Sequence, residues 1–202
     1  MKKLFFSFLS IVAIIAVFTA SISAATSHTV VAGDTMWKIA AKYKVGLSEI
    51  KSANPQIQNP NLIYPGQILN IPTGDSSVLN YEGEVVRLVN EARAKNGLKE
   101  LTHNWELSRV ARYKSQDMKD KGYFSHTSPT YGSPFQMIRN FGISYKTAGE
   151  NIARGQKTPA DVVNAWMNSS GHRANILNPS FTEIGVGYVA NGNYWTQMFI
   201  GK

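Results

Sequence analysis

Polar and apolar positions divide the chain into three stretches. Lys2 and Lys3 precede a nearly unbroken apolar run from Leu4 to Phe18, and Ser23-Ala24-Ala25 follows with small residues. That pattern predicts a secretory signal over residues 1–25, cut between Ala25 and Thr26. The run is short for a spanning helix, which needs about 20 apolar residues, and no second such run follows. A second stretch, residues 28–72, predicts a strand at His28-Thr29-Val30-Val31 and a turn at Gly33-Asp34-Thr35. A helix follows with Trp37, Ala40 and Tyr43 on its core face, Asp34 or Thr35 capping it. Leu47, Ile50 and Ala53 predict a second helix, with Gly46 as cap, Glu49 at capping-box spacing and Asn54-Pro55 as its stop. Residues 59–65 read as a loop and Gln67–Pro72 as a closing strand, so the order is βααβ.

Residues 73–80, Thr-Gly-Asp-Ser-Ser-Val-Leu-Asn, have the composition of a linker. Residues 81–202 form the third stretch. Val85, Leu88, Val89 and Ala92 predict a helix stopped at Gly97. A second helix runs from Trp105 to Lys121, with Leu107, Val110 or Ala111, Lys114 and Met118 on one side. Ser133-Pro134 and Thr158-Pro159 each read as a cap followed by proline at the first helical position. Strands are predicted at 183–190 and 194–200, joined at Asn191-Gly192 by a type I′ hairpin. Helices followed by a terminal hairpin make the class α+β.

Composition narrows the chemistry. The 202 residues contain no cysteine, which excludes disulfide frameworks, thiolate metal sites and cysteine nucleophiles. The net charge of +8 falls to +6 without Lys2 and Lys3 and is spread along the chain. Nucleic acid binding calls for a concentrated basic stripe, and none is present. A cysteine-free exported chain fits a bacterial exporter that does not rely on disulfides, such as a Gram-positive one.

The first module is similar to the LysM family. The similarity is carried by HTVVAGDTMWKIAAKY, Ser52-Ala53-Asn54-Pro55 and NLIYPGQILNIP at 61–72. It implies binding of N-acetylglucosamine-containing glycans, chiefly peptidoglycan or chitin. The implied groove lies between Gly33, Asp34, Thr35 and Met36 on one side and Asn61, Leu62 and Ile63 on the other. Asp34 and Thr35 serve equally well as helix caps, and Trp37 reads as core.

In the second module, three polar side chains draw notice. His126 lies in Tyr-Phe-Ser-His-Thr, Glu150 in Gly-Glu-Asn-Ile-Ala, and His172 in Gly-His-Arg. Two His and one carboxylate suit an open metal site, a general acid–base cluster, or structural hydrogen bonding. Residues 81–202 resemble the CAP superfamily of cysteine-rich secretory, antigen 5 and pathogenesis-related 1 (SCP-like) proteins. The matching blocks are Val89–Arg93, Phe124–Pro129, GENIA, Trp166–Leu177 and Phe181–Gly187. The resemblance implies an α-β-α sandwich with a cleft of two His and two Glu. His126, Glu150 and His172 match three of the four. Ser169 stands where the second Glu is usual, and Glu183, near the end of the loop carrying His172, is a candidate substitute. A solvated strand-start carboxylate is the other reading of Glu183. Some members bind divalent metals, and zinc suits His126 and His172 best.

Eukaryotic members are linked to lipids and are typically disulfide-rich. Ser125, Ser128, Ser169 and Ser170 neighbour the histidines in sequence, but serine is a common loop residue. His103 matches no motif and reads as a surface loop residue. The expectation is a secreted, wall-associated protein: a signal at 1–25, a LysM domain at 28–72, a linker at 73–80 and a CAP domain at 81–202. Its partner is peptidoglycan, with no nucleic acid and no membrane span once the signal is removed. A metal-assisted hydrolase and a structural wall or spore-layer protein are the alternatives.

Overall fold

The computed structural model describes residues 26–202. The expected export signal, residues 1–25, lies outside the described residues.

The first module is built from β1 (Thr26–Thr29), α1 (Met36–Tyr43), α2 (Leu47–Ala53) and β2 (Ile68–Ile71). β1 and β2 pair antiparallel from Thr26↔Ile71 to Thr29↔Ile68. β1 ends two residues before the β-branched run does, because the Val31 amide donates to Asp34 Oδ2 and begins the turn. Val30, Met36, Ile39, Ala40, Ile50, Leu69 and Ile71 form the core. Trp37, expected among them, is 67% exposed. The buried stripe of α1 is Met36, Ile39 and Ala40, an i, i+3, i+4 set, which turns Trp37 outward. Gly46 caps α2 as expected. Glu49 closes no capping box there, for its carboxylate reaches Arg109 and Tyr113 of the second module.

The expected linker is largely helical. Asp75 accepts from the Ser77 amide and starts α3 (Ser76–Lys95), leaving residues 72–75 between the modules' regular elements. The Asp-Ser-Ser sequence read as a linker is also an N-cap signal. β3 (Thr102–His103) and α4 (Trp105–Asp120) follow, then α5 (Pro134–Asn140), β4 (Thr147–Arg154), α6 (Pro159–Met167), α7 (Ser170–Ile176), β5 (Glu183–Val189) and β6 (Tyr194–Gly201). Ser133 and Gln136 complete a capping box on α5, and Thr158 caps α6.

The second module's sheet runs β3-β5-β6-β4, with β4 at one edge. On β6, Trp195 and Phe199 face a core built with Val85 and Val89 of α3 and Val162 and Trp166 of α6. Met198 and Ile200 face Leu107, Val110 and Ala111 of α4. Helices thus cover both faces, and the module is an α-β-α sandwich. A Cβ on Gly185 or Gly187 would meet the α4 backbone within 2.1–2.4 Å, so these two glycines let α4 lie directly on β5.

The terminal hairpin forms but is not type I′. Asn193 N donates to Ala190 O, and the positive φ angles fall at Gly192 and Asn193 rather than at Asn191. Val189 pairs with Tyr194, so four residues form the loop instead of two.

Candidate functional site

The site is built where helices from both faces reach the β4 edge. On α4, Lys114 and Asp117 are buried one turn apart. Lys114 Nζ donates to the carbonyls of Ser125 and His126, both at 2.8 Å, and to the Tyr123 hydroxyl. Asp117 accepts from the hydroxyls of Tyr123, Ser128 and Thr130 at 2.5–2.7 Å. Together they fasten the segment between α4 and α5 that carries His126. Burial lowers the Lys114 pKa, while Glu150 and Asp117 favour its charged form.

Glu150 projects from β4 and is 6% exposed. Its Oε1 lies 2.7 Å from Nδ1 of His126, whose side chain is 54% exposed. Glu150 Oε2 is buried without a hydrogen-bond partner. Burial raises the Glu150 pKa, and neither the bond from His126 nor the nearby Lys114 charge offsets it. The same hydrogen bond raises the His126 pKa.

His172 lies on α7, not in a loop. Asn151 Nδ2 donates to the His172 carbonyl and to Gln197 Oε1, and Asn175 Nδ2 donates to Asn151 Oδ1 and the Glu150 carbonyl. This amide network straps α7 to β4. Burial and the charge of nearby His126 lower the His172 pKa. The two histidines are therefore shifted in opposite directions, His126 toward its charged form and His172 toward its neutral one. Asn175 on Glu150 O and Trp166 Nε1 on Ile152 O also cover two β4 carbonyls.

The remaining candidates lie elsewhere. Ser169 is the N-cap of α7, with no side-chain capping bond. Glu183 is on β5, beyond β6 from β4, and its carboxylate is held by Asn104 and Lys202. It therefore does not replace the missing Glu. Ser128 is buried on Asp117, and neither it nor Ser125, Ser169 or Ser170 is hydrogen-bonded to His126 or His172. His103 belongs to β3, where its ring bonds Ser108 Oγ at 2.9 Å.

A divalent cation would need donors that converge. Among the described residues no three His, Asp or Glu side chains do so. His126 Nδ1 and Glu150 Oε1 are already turned on each other, so the expected set of His126, Glu150 and His172 does not fit a metal in this geometry. The arrangement offers a proton donor or acceptor at His126 Nε2, backed by a buried carboxylate, with His172 on the adjacent α7. Lys114, Asp117, Asn151 and Asn175 position these groups, and sequence reading missed all four.

In the first module, Gly33 takes a left-handed φ of 87°. Asp34 Oδ2 accepts from His28 and the Val31 amide, and that His28 bond lowers its pKa. Thr35 caps α1 through the Lys38 amide. Met36, expected along the groove, is buried in the core, where its side chain does not line a surface. Asn61 and Leu62 are exposed, and Ile63 is half-buried against the core.

The family model for CAP, described as the cysteine-rich secretory protein family, matches residues 86–200, and the LysM domain model matches residues 28–72. The chain is 69% identical over 127 residues to the uncharacterized protein YkwD of Bacillus subtilis (strain 168), covering 63% of this chain and 49% of that one. It is 35% identical over 79 residues to the N-acetylmuramoyl-L-alanine amidase sle1 of Staphylococcus aureus (strain USA300), covering 39% of this chain and 23% of that one. It resembles the crystal structure of an extracellular protein containing a SCP domain from Bacillus anthracis str. Ames, at 33% identity and a TM-score of 0.60. That likeness covers 68% of this chain and 47% of that one. The chain thus spans about half or less of the length of these relatives.

Proposed function

Because the chain belongs to the CAP family of cysteine-rich secretory proteins and carries a LysM domain, we propose that it is an exported protein held at the cell wall. In this reading the LysM module binds N-acetylglucosamine-containing strands of peptidoglycan and carries the CAP cleft to the wall. The carrying observation is the complete LysM module joined directly to a CAP sandwich. The exposed surface of Gly33, Asn61 and Leu62 is the proposed glycan face, with Asp34 and Thr35 shaping its loop. Exposed backbone beside an apolar side chain suits acetamido groups, which ask for both a hydrogen bond and a methyl contact. Among the described residues no helix is long and apolar enough to cross a membrane.

The test is co-sedimentation of the full mature chain with purified peptidoglycan. The chain is expected in the pellet, and Leu62→Asp is expected to shift a large part of it to the supernatant. A full chain that stays in solution would sink the tethering reading.

A second reading, proton-transfer catalysis on a wall or secreted substrate, is favoured by one observation: the buried Glu150 behind His126. In it His126 Nε2 delivers or takes the proton, Glu150 holds the ring and stabilises its charge, and His172 orients the substrate. His126→Ala with an intact fold is then expected to abolish turnover of wall fragments.

A further inference from the structure

A cavity of about 650 Å3 lies between the two modules, and none of His126, Glu150 or His172 lines it. Its volume is within the roughly 300–1,000 Å3 of small-molecule sites. Most of its wall is apolar: Val45 and Pro72 on one side, Val78 and Leu79 of α3 at the mouth, and Trp105 and Tyr188 on the other. Leu79 is 41% exposed there and packs over Gly74.

The charges facing this space are Lys44, Arg109 and Arg112, against Glu49, Asp75 and Glu82. Four of the six are ion-paired, and a fifth, Asp75, is hydrogen-bonded to neutral groups only. Arg112 forks onto the buried Glu82 at 2.6–2.9 Å. Arg109 pairs with Glu49 across the modules at 2.5 Å, and the Tyr113 hydroxyl donates to the same carboxylate. Asp75 accepts from Ser77 at the start of α3. Lys44, which closes α1 in a left-handed conformation, has no ion pair among the described residues. Its charge reaches the cavity wall, for with burial and Arg112 it disfavours protonation of His103.

We propose that this intermodular cavity binds a small amphiphile with an apolar body and a single negative charge, the body lying against Leu79, Trp105 and Tyr188 and the charge at Lys44. Lys44 is the one cation of this space outside an ion pair, and it stands beside a mostly apolar wall, which suits that ligand better than a neutral sugar or a dication. Since both modules supply wall, the Glu49–Arg109 pair keeps the site assembled.

The probes are 1-naphthylacetate and its neutral counterpart 2-(1-naphthyl)ethanol, titrated by fluorescence into the full mature chain. The acetate is expected to bind about three- to fivefold more tightly, as one partly exposed ion pair allows. Lys44→Met removes that preference and leaves the alcohol unchanged. Leu79→Trp fills the mouth and abolishes binding of both, and Glu49→Ala weakens both by releasing the shared wall. Thermal melting checks that each variant folds. Saturable binding of neither probe overturns the proposal. So does binding that survives both Leu79→Trp and Glu49→Ala, or equal affinity for the two probes in the unaltered chain.

Discussion

Glu150 shows how burial and pairing compete at one residue. Burial dominates and its pKa rises, while its hydrogen bond raises the pKa of His126. A group with a raised folded pKa stabilises the fold fully below its unfolded value, about 6.5 for histidine, and loses that contribution as pH climbs past the folded value. His172 is shifted downward, so its neutral form favours the fold and acid works against it. Proton NMR should show His126 titrating above the ordinary value and His172 below it. Glu150→Gln should bring His126 down, and an unchanged His126 curve would contradict the pairing. Lys114→Met leaves the Ser125 and His126 carbonyls without their donor, at a cost of roughly 2 kcal/mol or more. Denaturant unfolding would read the loss. His126, Glu150 and His172 were legible through family motifs. Lys114 was not, because a lysine within a helical stripe reads the same whether it ends in water or on two carbonyls.

At the scale of elements, the helices were legible because their ends carry local chemistry. Ser133-Pro134 and Thr158-Pro159 start α5 and α6, and Gly97 and Gly122 follow the ends of α3 and α4 with positive φ. β4 was not legible as a strand, since residues 149–153 are all buried and show no alternation. β3 has only two residues, held by parallel pairing to β5 that no local pattern announces. Trp37 was misplaced by one position because Ala40 and Tyr43 fit either phase of the α1 stripe. Glycine generally weakens a strand, yet Gly185 and Gly187 set the depth at which α4 packs. Gly187→Ala drives a methyl group into the α4 backbone, a clash worth about 1–3 kcal/mol. Its melting temperature should fall by several degrees, and one equal to the parent's would show that α4 can lift freely.

The whole molecule joins two cores through few groups. Glu49 of α2 receives Arg109 and Tyr113 of α4, and the Arg109 guanidinium also lies over the Tyr113 and Phe141 rings. Arg109→Ala should separate one calorimetric transition into two, the LysM module melting earlier and the CAP sandwich nearly unchanged. A single unaltered transition would show that the modules are coupled by other contacts. Both modules could be read from motif blocks, but this junction could not, because Glu49 had a plausible local role as a capping residue.

The short stretch at residues 72–75 also limits what the protein can reach. Four extended residues span only about 14 Å. Once the LysM module has settled on a sugar, the CAP cleft is on a short leash. Under the proposed wall tethering it would sample a patch close to its own anchorage, and whatever met His126 would come from that neighbourhood or diffuse to it.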